Sequence, residues 1–114
     1  MKYLLLTLII LILSAPGWAC GTFGNIYGIA AKPVGTGYEG IYQARVTLQN
    51  DGAILGGTLT SAFGFYSFWN VPACGNSYAV SIEKKAVTFI APVQFVYLPI
   101  ADSDNNIEVD FISN

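Results

Sequence analysis

Short stretches that alternate apolar and polar residues, separated by turn residues, limit what this chain can fold into. In residues 42–49, Ala44, Val46 and Leu48 alternate with polar side chains, and residues 77–84 and 106–112 repeat the pattern. Because successive side chains of a strand point to opposite faces, each stretch has one dry face and one wet face. No convincing helical period occurs after residue 19. The pattern predicts about seven strands, at residues 25–32, 42–49, 54–60, 64–69, 77–84, 86–97 and 106–112, and leaves open a break of the sixth strand at Pro92.

Turn signals separate these strands at short intervals. Glycine and proline crowd residues 32–40, Asn-Asp-Gly occupies residues 50–52, and residues 71–76 and 102–106 are again rich in turn formers. Several short strands joined by such turns are typical of antiparallel sandwiches. We therefore expect an all-β, seven-stranded antiparallel β-sandwich.

The first nineteen residues have the three-part plan of a secretory signal peptide. Lys2 is followed by a short apolar run and then by Pro16 and the small-residue ending at Ala19. The run is shorter than the roughly 20 residues that span a bilayer. Cleavage after Ala19 would leave residues 20–114 as one domain with no membrane span. Two alternatives stay open, an uncleaved anchor and a lipoprotein attached through Cys20, although the bulky Trp18 fits a lipoprotein signal poorly.

The charge of the chain limits the kinds of partner it can bind, and its cysteines indicate the redox compartment in which it works. Residues 20–114 hold four basic and seven acidic side chains, so no basic patch is expected to bind nucleic acid or anionic lipid. The chain has two cysteines, Cys20 and Cys74, and no histidine, which does not make a zinc site. In a secreted chain the two cysteines predict a disulfide, the alternative being a free or lipidated Cys20.

Four motifs resemble those of carboxypeptidase regulatory-like domains. They are "ARVTL" at 44–48, "GFYSF" at 64–68, "VPACG" at 71–75 and "YAVSI" at 78–82. These domains are transthyretin-like sandwiches related to the B-type stalk repeats of Gram-positive collagen adhesins. The resemblance covers about residues 25–112 and implies an immunoglobulin-like or transthyretin-like sandwich without the peptidase, whose chemistry lies in a separate domain. The chain departs from the family pattern at Ser61, where an acid is usual, and at Cys74.

The sequence offers no convincing catalytic or cofactor site. Without histidine the usual triads and histidine metal sites are absent, and the carboxylates fall on wet strand faces or in turns. We expect neither catalytic activity nor a cofactor, and no metal site is predicted with the exception of a weak calcium site near Asp102 and Asp104, which is left open. The adhesin relatives often contain a Lys–Asn isopeptide bond that a buried acid catalyses, which suggests a bond between Lys32 and Asn106 here. No acid on an apolar strand face is apparent to catalyse it.

A run of 23 residues, 60–82, holds six aromatic side chains and no charge. Alternation sends Tyr66 and Phe68 inward, so Phe63, Phe65 and Trp69 are predicted to share the opposite face. Exposed aromatic clusters stack on sugars or anchor protein partners, unless a second sheet, a loop or a sister subunit covers them.

We therefore expect a secreted, periplasmic or cell-surface module that is not an enzyme and has a binding or structural role at the cell exterior. Its partner would be a protein or a glycan. A carbohydrate-binding module, a self-assembling surface subunit and a regulatory partner of a separate secreted enzyme remain the alternatives.

Overall fold

The structure, a computed structural model, describes residues 21–99 and 105–114. These residues form nine strands in two facing sheets, which confirms the all-β sandwich. Within the same ranges there is no helix of the length and hydropathy that a membrane span requires. The predicted signal peptide lies outside the described residues. The strands are β1 (Phe23–Val34), β2 (Gly37–Gly40), β3 (Arg45–Asn50), β4 (Ala53–Leu59), β5 (Phe65–Pro72), β6 (Asn76–Glu83), β7 (Val93–Leu98), β8 (Asn105–Glu108) and β9 (Phe111–Ile112).

Strand β1 organises the first sheet because other strands pair along both of its edges. β5 and β2 follow one another along one edge in antiparallel register. β8 and β9 follow one another along the other edge, and both run parallel to β1. The prediction of an antiparallel sandwich is therefore wrong for the pairing of β8 and β9 with β1. The two parallel pairings join the beginning of the domain to its end.

The second sheet is antiparallel throughout, in the order β4, β3, β6, β7. Its inner face carries the residues that the alternation predicts, with Val46 and Leu48 on β3 opposite Ile82 and Val80 on β6. All four are buried, and Tyr78 beside them is almost fully enclosed. The period-two pattern thus identified this half of the core correctly.

Three segments differ from the predicted strands. β2 forms inside the glycine-rich segment that predicted only a turn, because Gly35 supplies the positive φ that reverses the chain. The predicted strand at 86–97 begins only at Val93, after Pro92, and residues 84–89 make isolated bridges instead. The last predicted strand is split in two at Val109 and Asp110.

The chain passes from β8 to β9 at Val109, whose backbone is hydrogen-bonded to the middle of β1. The Val109 N–H donates to the Tyr27 carbonyl at 2.8 Å, and its own carbonyl accepts from the buried Tyr66 hydroxyl. A Cβ on Gly28 would collide with the Val109 carbonyl, so only glycine allows the two backbones this close. Burial raises the pKa of Tyr66, which therefore stays a neutral hydrogen-bond donor.

Tyr66 also lies at the centre of the aromatic part of the core. Its ring centroid is 6.1 Å from that of Phe111, which in turn meets Phe89 at 6.4 Å in an edge-on arrangement. These contacts join β5, β9 and the segment before β7. The core therefore includes Phe111 of the short strand β9 as well as residues of the long strands.

The Tyr66→Phe variant should lower the free energy of unfolding by about 1–3 kcal/mol, because it leaves the buried Val109 carbonyl without a donor while the ring packing is kept. Urea denaturation of the purified protein measures the loss. Tyr38→Phe, at an exposed hydroxyl on β2, is the matched control and should change little. Equal stability of Tyr66→Phe and the wild type would contradict the assigned role of the hydroxyl.

Candidate functional site: an aromatic sheet face

Strand β5 presents two large aromatic side chains to solvent and two to the core. Tyr66 is 5% exposed and Phe68 is partly buried, whereas Phe65 is 59% and Trp69 is 69% exposed. The predicted division of these four rings between the two faces is what the structure has. Phe65 and Trp69 lie on the outer face of the first sheet, where nothing within the described residues encloses them.

The register of β1 against β5 adds a third ring, Tyr27, to this face. Tyr27 is opposite Ser67, which lies between Phe65 and Trp69 on the same side of β5. Its ring is partly exposed. We call Tyr27, Phe65 and Trp69 the aromatic face. Sequence reasoning missed Tyr27, because its pairing with Ser67, 40 residues later, is set by the fold and not by local alternation.

A β-bulge fixes the position of Trp69. Between the pairs Gly24–Val71 and Ile26–Phe68, β1 contributes Asn25 alone while β5 contributes Trp69 and Asn70. Asn70 has a φ of 58°, a conformation that asparagine tolerates better than most residues. Bulges of this kind re-aim a side chain and increase the local twist of a strand.

Asn25 ties the bulge to the neighbouring strands. Its side-chain oxygen accepts from the Asn70 N–H at 3.2 Å, and its amide nitrogen donates to the Asn106 side chain at 2.9 Å. The outer face of the sheet is therefore held across β5, β1 and β8 by side-chain amides. This polar link lies beside the aromatic face and supports it.

Phe63 lies in the turn that precedes β5 and is 77% exposed. The turn is closed by hydrogen bonds between Ser61 and the backbone of Gly64 and Phe65, at 2.9–3.2 Å. Gly64 has a φ of 85°, and a Cβ there would collide with the Ala30 carbonyl. The close approach to β1 therefore requires glycine at this position.

A second exposed apolar row lies on the outer face of the other sheet. Val93, Phe95 and Tyr97 alternate outward along the edge strand β7. Sequence reasoning did not find this row, because Val96 and Leu98 on the inner face are apolar as well. A segment that is apolar on both faces has no alternation to show which residues are outside.

Two carboxylates, Glu108 and Asp110, lie close together near the middle of β1. Asp110 Oδ1 accepts from the Ile29 N–H at 3.0 Å. A hydrogen bond with the Asp110 carboxyl, and then the negative charge of that group, raise the pKa of Glu108. The pair is exposed, and no nucleophile or base accompanies it among the contacts of the described residues.

The remaining predicted site residues are only partly described. Cys20, Asp102 and Asp104 lie outside the described residues, so the disulfide and the calcium site stay predictions. Groups of three or more residues able to bind a metal are absent from residues 21–99 and 105–114.

For the isopeptide bond, the register places Asn106 beside Asn25, seven positions from Lys32 along β1. At about 3.3 Å per residue that separation is roughly 23 Å, too far for a covalent bond.

Comparison with known proteins shows a likeness of fold. No protein-family model matches the chain, and no curated protein matches it. The minor pilin GBS52 of the Gram-positive pathogen Streptococcus agalactiae has a similar structure, with a TM-score of 0.59 at 7% identity over 82% of this chain and 45% of that one. A variant of BcpA, the major pilin subunit of Bacillus cereus, gives a TM-score of 0.54 at 13% identity over 82% of this chain and 30% of that one.

A third similar structure is the TIE protein of Bacillus anthracis. It has a TM-score of 0.56 at 14% identity, over 81% of this chain and 17% of that one. The chain thus spans less than half the length of each of these structures. The fold is a β-sandwich similar to those in these pilin structures, and the likeness extends to the fold alone.

The Glu108→Gln variant should melt at a higher temperature than the wild type at about pH 7, and at nearly the same temperature at about pH 4. The raised pKa means that protonated Glu108 favours folding below the ordinary value of 4.5, and that this contribution is lost as the pH rises through the folded-state pKa. Glutamine stays neutral at every pH.

Thermal melts across this pH range test the expectation. Glu39→Gln removes the same charge from an exposed position on β2 and serves as the control. A Glu108→Gln curve parallel to that of the wild type at every pH would show that the two carboxyls do not interact.

Proposed function

We propose that this chain is a structural, non-enzymatic subunit at the cell exterior that associates with copies of itself through the aromatic face of β5. The observation that carries the proposal is the exposure of Phe65 and Trp69 on the outer face of a strand whose far edge is open. Within the described residues β5 pairs only with β1. An open edge with aromatic side chains is a ready template for another chain.

The backbone of β5 supports this assignment. The Gly64 carbonyl accepts from Ala30 on β1, whereas the Phe65 carbonyl accepts from Ser61 on the opposite side. Because alternate residues of an antiparallel strand bond to the same neighbour, Ser67 directs its N–H and carbonyl away from β1, as Phe65 does. Tyr66 and Phe68 are the residues that face β1.

The lack of charge supports a second copy as the partner. Edge strands of monomeric proteins are commonly protected by charges, proline or bulges. On β5 the proline and the bulge lie near its far end, so a second copy would pair along residues 65–68. No charged residue occurs from residue 60 to residue 82, and both copies of an acidic chain would meet here without like-charge repulsion. Antiparallel pairing of the same strand around a two-fold axis would also make the contact self-complementary.

The size of the face sets the expected strength of the contact. The exposed parts of Tyr27, Phe65 and Trp69 come to roughly 350 Å², taking 150–250 Å² for each whole ring. A standard interface buries about 800 Å² on each partner. The aromatic face alone therefore suits a weak association that is strengthened when many copies are held on one surface.

The structural neighbours support the same function class. Two are described as pilin subunits, which are structural proteins of the cell surface and not enzymes. The predicted signal peptide, with cleavage after Ala19, fits an exterior location. A closer kinship with carboxypeptidase regulatory-like domains is part of the proposal and is supported by the motifs at residues 64–68 and 78–82.

Because the proposed exterior location is oxidising, we expect a disulfide between Cys20 and Cys74 that stabilises the fold. The Ala73 N–H donates to the Thr22 carbonyl at 2.9 Å, and the Thr22 hydroxyl donates to the Ala73 carbonyl. The residue next to Cys74 is therefore bonded to a residue two positions after Cys20. This contact supports the pairing that the cysteine count predicts.

Cys74→Ser should lower the free energy of unfolding by up to about 4 kcal/mol, the entropic value for closing a loop of this length. Cys20→Ser should give the same loss, and the double variant should lose no more than either alone. Denaturation of the exported protein measures all three. Two thiols that react with an alkylating agent in the unreduced, denatured protein would overturn the disulfide.

The double variant Phe65→Ser/Trp69→Ser should weaken self-association at least about tenfold, a change equivalent to about 1.4 kcal/mol. Sedimentation velocity over a series of concentrations, on protein expressed from the full sequence and recovered after export, gives the dissociation constants. Tyr38→Ser/Tyr42→Ser removes two exposed rings outside β5 and is the matched control.

Two outcomes would contradict this function. One is a wild-type protein that stays monomeric at every concentration while binding a glycan through Trp69, which would make the chain a carbohydrate-binding module. The other is a Phe65→Ser/Trp69→Ser variant that associates as strongly as the wild type, which would place the contact elsewhere.

A further inference from the structure

One side of the sandwich has an open strand edge in each of its two sheets. β4 is an edge strand of the second sheet and, within the described residues, pairs only with β3. It lies across from β5, because a Cβ on Gly56 of β4 would be 3.8 Å from the Phe68 ring of β5. The edges of β4 and β5 are therefore neighbours on one side of the molecule, which we call the open side.

The pairing of β4 with β3 determines which backbone groups point to the open side. The Thr60 N–H, directly after β4, donates to the Ala44 carbonyl at 2.9 Å. Because alternate residues of an antiparallel strand bond to the same neighbour, Thr58 also faces β3, whereas Gly57 and Leu59 direct their N–H and carbonyl groups away from it. The β-bulge of β4 precedes these residues, so this part of the edge is regular.

The open side carries no charge, in contrast to the opposite side of the sandwich. No charged residue occurs from residue 52 to residue 82, a range that contains both β4 and β5. On the opposite side the Gln94 amide of β7 donates to the Asp110 carbonyl at 2.8 Å, and the Asp110 carboxyl is hydrogen-bonded to that of Glu108. Contact through that side would bring the carboxyls of two copies together, whereas contact through the open side would not.

The apolar side chains of β4 enlarge the surface that the aromatic face offers. Ile54 is 69% exposed and Leu59 is 50% exposed. The aromatic face provides roughly 350 Å², less than half of the about 800 Å² that each partner buries in a standard interface. A contact that includes β4 therefore comes closer to the area that a stable dimer needs.

We propose that both edges of the open side pair with a second copy, β5 with β5 and β4 with β4, so that each sheet continues into the same sheet of the other copy. The inference rests on the proposed association through β5 and adds a second strand pair to it. A two-fold axis perpendicular to the first sheet makes the two β5 strands antiparallel. Because the second sheet lies face to face with the first, the same axis makes the two β4 strands antiparallel as well.

Pairing of both edges around one axis gives a closed dimer. Each copy uses its open side once, so this contact cannot add a third copy. If β4 and β5 paired in two separate contacts, each copy would have two neighbours and rows of copies would form. The size of the assembly therefore distinguishes one contact from two.

Amide hydrogen exchange tests the strand pairing directly, on protein expressed from the full sequence and recovered after export. Exchange is compared at concentrations above and below the dissociation constant that sedimentation velocity gives. The N–H groups of Gly57 and Leu59 on β4, and of Ser67 on β5, should exchange at least about tenfold more slowly in the dimer, because each of them points to the second copy.

Phe95 on β7 provides the control for this measurement. The Ile82 N–H donates to the Pro92 carbonyl at 2.9 Å. By the same alternation Gln94 faces β6, and Phe95 directs its N–H away from β6 at the other edge of the second sheet. Its exchange should be the same at both concentrations.

The Leu59→Lys variant should weaken the dimer at least about tenfold, because a lysine on an edge strand opposes pairing with another strand. Val93→Lys places the same charge on the opposite edge strand of this sheet, at a residue that is 49% exposed against 50% for Leu59. It is the matched control and should leave the dissociation constant unchanged. Circular dichroism and thermal melting establish that both variants are folded.

Exchange at Gly57 and Leu59 that is no slower in the dimer would overturn the inference, as would a Leu59→Lys variant that associates like the wild type. Assemblies larger than a dimer that Leu59→Lys reduces to dimers would also overturn it, because β4 would then make a separate contact. In each of these cases a loss of association in Phe65→Ser/Trp69→Ser would still support the proposed function. A wild-type protein that is monomeric at every concentration would contradict both.

Discussion

The first sheet of this protein depends on the hydrogen bonding of β1 along both edges. The N–H and carbonyl groups of this one strand bond to β5 and β2 on one side and to β8 and β9 on the other. The tightest point is at Gly28, where the Val109 carbonyl lies against the backbone and accepts from Tyr66. A side chain at residue 28 would separate the last two strands from the sheet. The exposed aromatic residues of β5 keep their orientation because β5 is anchored to the same strand.

Local alternation was sufficient to predict the inner faces of β3 and β6 and the division of the four rings on β5. It was sufficient because the second sheet is antiparallel and solvated on one side, which is the arrangement that gives a clean period of two. It failed where both faces are apolar, as in β7, and where glycine allowed a strand in place of a turn, as in β2. The split of the last strand at Val109 depends on a contact with Gly28, and no local pattern carries that information.

The candidate site was predictable in part for the same reason. Phe65 and Trp69 follow from alternation within one strand, whereas Tyr27 enters through the register of β1 against β5, and the orientation of Trp69 depends on the bulge at Asn70. Long-range pairing therefore determines the parts of the site that local alternation does not.

The parallel pairing of β8 and β9 with β1 has a consequence for the order in which the chain can fold. Asn25 bonds to Asn106, a partner 81 residues later, so the first sheet is incomplete until the last ten residues are available. Contacts of such long sequence separation slow folding, because the loop between them must be closed before the contact forms. During synthesis the first sheet therefore stays incomplete until β8 and β9 have emerged. For a chain exported as proposed, this would keep β1 unpaired along one edge until β8 and β9 have crossed the membrane.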